Sequence, residues 1–121
     1  MATSAVWAKT VGYSRAVRAG SVIHVSGTAA VGDDGRIAHP GDAYGQAQRC
    51  LAIIAAALRE LDAGPEHVVR TRIYVREGVA WEDVGRAHGE IFADVRPAST
   101  MVFTSFIDPD MLVEIEADAV V

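Results

Sequence analysis

The segment VEIEADAVV, residues 113–121, alternates strictly between two kinds of side chain. Val113, Ile115, Ala117 and Ala119 fall on one side of an extended chain, and Glu114, Glu116 and Asp118 on the other. Strand side chains repeat every two residues, so this is a strand with one apolar face and one acidic face. Acids two positions apart sit about 6.8 Å from each other. At an effective dielectric of about 20, each adjacent pair repels by roughly 2 kcal/mol, and by less in full contact with water. The acidic face is therefore either wet or set against positive charge. A second alternating stretch, VVRTRIYV at 68–75, supplies such charge. Val69, Thr71, Ile73 and Val75 share one side; Arg70, Arg72 and Tyr74 share the other, and Arg76 continues it.

Around these two strands the other elements can be placed in order. VWAKT (6–10) reads as a short strand, and YSRAVRAG (13–20) as a second strand after a turn near Gly12. SVIHVSG (21–27), rich in β-branched residues, reads as a third. GDDGR (32–36) carries the Asp-Gly signal of a tight turn. Asp42 is placed to cap a helix in which Ala47, Leu51, Ile54, Leu58 and Leu61 form one apolar stripe, ending near DAGP (62–65). A second helix spans Trp81 to Ala93, with Val84, Ala87, Ile91 and Phe92 inward. STMVFTSF (99–106) and LVEIEADAV (112–120) are the last strands, joined by a turn at 107–110. The order β-β-β-α-β-α-β-β predicts an α+β fold with one mixed sheet and both helices on one face, because two helices cannot cover two faces of so wide a sheet. The other face then meets solvent or a second copy of the chain. Residues 1–121 read as a single domain.

Composition narrows the function classes. A net charge of −5 argues against a dedicated nucleic-acid binder. The single cysteine, Cys50, excludes an intrachain disulfide and reads as a small buried hydrophobe. His24, His39, His67 and His88 show no metal-ligand spacing, and the glycine-rich SGTAAVGDDG lacks the ending of a phosphate loop. The start has no run fit for a signal peptide and no stretch reaches the length of a membrane span, so a cytoplasmic protein is expected.

GYSRAVRAG (12–20), VSG (25–27), VVRTRIYV (68–75), RPAST (96–100) and VEIEADAV (113–120), in that order, resemble the RidA/YjgF family, also labelled L-PSP endoribonuclease. The resemblance implies a chorismate-mutase-like fold assembled as a homotrimer, with a cleft between subunits. Well-known members hydrolyse reactive imines and enamines without metal or cofactor. It also implies site residues. Tyr13 matches the family's tyrosine, Ser26 and Gly27 its Ser-Gly turn, and Glu116 the glutamate that places a water. At Ser99 the sequence departs from the pattern, because the deaminating members carry an arginine there for a substrate carboxylate. A serine hydroxyl cannot replace a guanidinium fork.

These residues leave three readings. The first is a cofactor-independent hydrolase or deaminase acting on a small imine, enamine or carbonyl metabolite. Glu116 would serve it as acid or base, and Tyr13 as hydrogen-bond donor. Arg72 then anchors an anion or pairs with the carboxylates, and Trp81 walls the cleft or packs in the core. The second is a non-catalytic metabolite binder on the same fold. The third, a ribonuclease, suits the acidic charge poorly. All three expect the face not covered by helices to be shared between copies.

Overall fold

The computed structural model describes residues 8–121, which form one five-stranded sheet with two helices. The strands are β1 (Ala16–Ala19), β2 (Val22–Ala29), β3 (Val68–Arg76), β4 (Ala98–Thr104) and β5 (Val113–Val120). The helices are α1 (Ala43–Glu60) and α2 (Trp81–Phe92). Across the sheet the order is β1-β2-β5-β3-β4. β3 and β4 run parallel, joined through α2, as a parallel pair requires; the remaining pairs are antiparallel. The α+β reading, with one mixed sheet and two helices, is what the chain adopts. Its first element differs: Ala8–Gly12 wind into a π-helical turn instead of extending. The remainder of the expected first strand, residues 6 and 7, lies outside the described residues.

Local chemistry explains the main boundaries. β1 and β2 are joined by the two-residue turn Gly20–Ser21, where Gly20 takes φ +62°, a conformation that costs glycine little. Asp42 caps α1 by accepting a hydrogen bond from the Gly45 N–H at 3.0 Å. Glu82 and Asp83 sit in the first turn of α2, where negative charge favours the helix. Gln46, fully buried in α1, fastens the loop before β5: its amide donates to Asp110 O at 3.0 Å and accepts from Leu112 N–H at 3.0 Å.

The core lies between the helices and one face of the sheet. Val113, Ile115, Ala117 and Ala119 of β5 are sealed there with Ile23, Val25, Ile73, Val75, Leu51, Ile54, Leu58, Val84 and Ala87. Cys50 belongs to the same core, and burial pushes its thiol up to about 12, so it is an inert hydrophobe. Two inward assignments were misplaced. A register irregularity between Val68 and Arg70 buries Val68 and turns Val69 out, leaving it 48% exposed. Ile91 is 47% exposed, because the inward stripe of α2 runs through Val84, Ala87 and Phe92.

Ile115, with no exposed surface on the central strand, is the strictest test of this core. Ile115→Ala is expected to lower unfolding free energy by about 2–5 kcal/mol, read from urea denaturation with an unchanged m-value.

Candidate functional site

The sheet face opposite the helices carries the polar side chains of β2, β5 and β3 in register. Arg72 stands across from Glu116, Arg70 across from Asp118, and Tyr74 across from Glu114. Yet the guanidinium of Arg72 leans to Asp118, at 3.0 Å, and reaches Glu116 only at 3.4 Å. His24 approaches Asp118 from the other side, with Nδ1 at 2.7 Å from Oδ1. The Tyr74 hydroxyl donates to Glu116 Oε1 at 3.2 Å. Burial, then the charge of Glu116, pushes the Tyr74 phenol up, so it keeps its proton and remains a donor. Of the three arginines expected against the acids, Arg72 alone meets them. Arg70 donates to Thr100 Oγ1 at 2.6 Å, and Arg76 holds the carbonyls of Met111 and Asp108 at 2.7 Å each.

The carboxylates of this stripe are not equivalent. Burial works to raise Asp118, but hydrogen bonds from His24 and Arg72 outweigh it and hold the group below the usual aspartate range. Glu114 is pushed up, first by burial and then by the charge of Glu116, with Arg15 opposing. Gly27 leaves room for the half-buried Glu114 side chain, because a Cβ there would meet Glu114 Oε1 at 2.7 Å. Arg15 stitches the irregular stretch of β2 beside it, donating to Gly27 O at 3.1 Å and Thr28 Oγ1 at 2.7 Å. Ser26 donates to Ser14 O at 2.6 Å, and Tyr13 is partly buried just before β1.

The structure thus gathers Ser26, Gly27, Arg72 and Glu116 on the open face, with Tyr13 at the start of the same segment. It separates Ser99 and Trp81 from them. Ser99 pairs in parallel register with Thr71 and so leaves the sheet on the helix side, opposite to Glu116. Thr71 Oγ1 lies 2.8 Å from Ser99 Oγ and 2.9 Å from His88 Nε2. Trp81 is 52% exposed, not in the core, and with Met101, Val102 and Phe103 it lines an open apolar depression beside β4. Sequence reasoning passed over Thr71 and His88 as partners of Ser99, and the Tyr74 hydroxyl as a donor to Glu116. Two signals were available: Thr71 is the one hydroxyl at an inward position of β3, and His88 follows Val84 by one helical turn. Among the described residues no group of three or more His, Cys, Asp or Glu is arranged to hold a metal ion. Among the described residues no helix is long and apolar enough to cross a membrane.

Comparison with known proteins gives a consistent result. Residues 3–121 match the family described as Endoribonuclease L-PSP. An uncharacterized protein of Streptomyces coelicolor is 38% identical over 114 residues, covering 93% of this chain and 84% of that protein. The 3-aminoacrylate deaminase RutC of Acinetobacter baylyi is 28% identical over 107 residues, covering 88% of this chain and 85% of the enzyme. Among solved structures, a Mycobacterium tuberculosis member of the YjgF/YER057c/UK114 family superposes with a TM-score of 0.88 at 40% identity, over 100% of this chain and 97% of the other.

The opposite shifts of Asp118 and Glu114 give opposite pH effects. A depressed aspartate stabilises the fold above its unfolded value, and that contribution is lost as pH falls through its folded value. A raised glutamate costs stability while ionised, and the cost is relieved as pH falls. Asp118→Asn is therefore expected to destabilise at neutral pH and Glu114→Gln to stabilise. Both differences should shrink as denaturation is repeated from about pH 7 down to about pH 3.

Proposed function

The chain belongs to the Endoribonuclease L-PSP family, the RidA/YjgF group that its sequence resembles, and from that premise we propose a cofactor-independent hydrolase of the deaminase type. Its substrate is a small imine, enamine or carbonyl metabolite. The observation that carries this reading is the setting of Glu116. The carboxylate is 29% exposed, and its Oε1 is held by Tyr74 at 3.2 Å and Arg72 at 3.4 Å, which leaves it fixed in direction and open to a ligand. Such a group takes a proton from an attacking water and returns it to the departing amine. Water adds to the C=N carbon, the C–N bond of the resulting carbinolamine breaks, and ammonia and a carbonyl compound leave. The similarity to a 3-aminoacrylate deaminase over most of both chains favours the same reaction class.

The working unit is a homotrimer in the cytoplasm, with the ligand between subunits. Two features support the seam. The open face bears half-buried charges that a neighbouring chain would desolvate further, and Ser99 and Glu116 leave opposite faces of one sheet. A site that uses both must take them from two copies. Tyr13, Ser26 and Gly27 then line the cleft from the Glu116 side, and Trp81 from the Ser99 side. Arg72 acts by orienting Glu116, since its guanidinium is engaged by two carboxylates. No RNA cleavage is assigned, because the face carries three acids and the chain is acidic overall. The serine at position 99 favours a second reading, a metabolite binder without turnover, because a hydroxyl already shared with Thr71 is a poor anchor for an anionic substrate.

Imines generated in situ, carboxylate-bearing ones by an amino-acid oxidase and uncharged ones by an amine oxidase, separate the two. Turnover that falls by about 10²–10⁴-fold in Glu116→Ala supports the hydrolase. Equal rates with and without the protein, across several imines, leave the binder. Sedimentation at micromolar concentration is expected to give a trimer, and a stable monomer would remove the inter-subunit site.

A further inference from the structure

Beneath α2, at the edge of the sheet, lies a polar cluster distinct from the acidic face. Thr71 is fully buried, and its hydroxyl stands between His88 Nε2 at 2.9 Å and Ser99 Oγ at 2.8 Å. A hydroxyl so placed gives its proton to one neighbour and accepts from the other. While the imidazole is neutral, the chain of hydrogen bonds can run in either direction. Once His88 is protonated, Nε2 must donate to Thr71, Thr71 donates to Ser99, and the Ser99 proton points outward. Ser99 is exposed, so a ligand reaches that proton. Met101 and Phe103 continue the same side of β4 and, with Trp81 and Val102, line the apolar depression. Neighbours on one side of a strand are about 7 Å apart, which suits a ligand with a polar end and a short hydrocarbon body.

We propose that Ser99, Thr71 and His88, together with this depression, form a binding subsite for an uncharged carbonyl or amide compound. Its oxygen accepts from Ser99 and its apolar body lies on Trp81, Met101 and Phe103. The proposal rests on the reading above only in placing Ser99 at the ligand, and it names the substrate class as neutral. No Lys or Arg among the described residues is hydrogen-bonded to any of the three, so a carboxylate finds no permanent positive charge in the relay.

Three charged groups of α2 are engaged with α1 or with one another. Arg86 stacks on Tyr44 of α1 at 3.7 Å, Glu90 accepts from the Tyr44 hydroxyl at 2.7 Å, and Asp83 faces Arg86. In the turn before β3, Glu66 pairs with His67, and Arg70 lies on the far side of the sheet with Thr100. His88 itself packs on Phe92, and burial lowers its pKa, so it is neutral at physiological pH and gains its proton only in acid.

Titrating the folded, isotope-labelled protein with butyramide and, separately, with butyrate tests this, following the backbone amides of residues 99–103 by NMR. Butyramide should shift these amides, with affinity rising about three- to tenfold between about pH 8 and about pH 5, whereas butyrate should not shift them at about pH 8, where His88 is neutral and butyrate fully ionised. His88→Gln and the near-isosteric Thr71→Val should each flatten the pH dependence. Butyrate binding at these amides as tightly as butyramide at about pH 8 would overturn the proposal. So would the absence of any shift, or a pH profile unchanged in both variants. Imine turnover is read in a separate assay. Loss of the hydrolase reading there with butyramide binding intact leaves the subsite standing, and the converse result leaves the hydrolase standing.

Discussion

The burial of Val113, Ile115, Ala117 and Ala119 under two helices fixes the direction of every other side chain in the sheet. β5 is the middle strand, hydrogen-bonded to β2 on one side and β3 on the other. Its phase therefore sets theirs, because side chains at paired positions leave the same face. Sealing the odd-numbered positions forces Glu114, Glu116 and Asp118 outward. The same phase delivers Arg72 and Tyr74 beside them, with His24 on the opposite flank. The polar network follows from where the hydrocarbon went.

Within that network, neighbours rather than residue type decide the behaviour of each acid. Asp118 lies between a guanidinium and an imidazole and holds its charge firmly. Glu114, four positions earlier, has withdrawn over Gly27 into a drier place and holds its charge reluctantly. Glu116 stands between them, steered by a phenol and the edge of the same guanidinium. The strand thus carries two acids, Asp118 and Glu114, whose proton affinities are shifted in opposite directions although they look interchangeable in sequence.

Much of this fold could be read from alternation and helical spacing alone. The period of two in residues 113–120 and the stripe from Ala47 to Leu58 were sufficient, because burial depends on phase and phase is visible in a sequence. Two of the misreadings arose where the chain departs from regular periods. The irregularity at Val68 shifted one residue of β3, and the π-helical turn at Ala8–Gly12 has no short-range signature. The candidate site was legible by face but not by partner. Arg72 was visibly opposed to the acids, but its lean towards Asp118 instead of the directly paired Glu116 depends on side-chain reach. The position of Ser99 behind the sheet depends on its register opposite Thr71, and strand order and register are not written in local pattern.

The loop between β4 and β5 is tied down from Asp108 onward, where Arg76 holds the carbonyls of Asp108 and Met111. Gln46 grips the backbone at Asp110 and Leu112, whereas Ile107 projects wholly into solvent. Evolution can therefore lengthen or shorten the chain just ahead of Asp108 at little cost. A single residue inserted between Leu112 and Val113 would turn the final strand over, sending carboxylates into the hydrocarbon and valines into water. Natural insertions and deletions in descendants of this chain should gather before that grip and be missing after it.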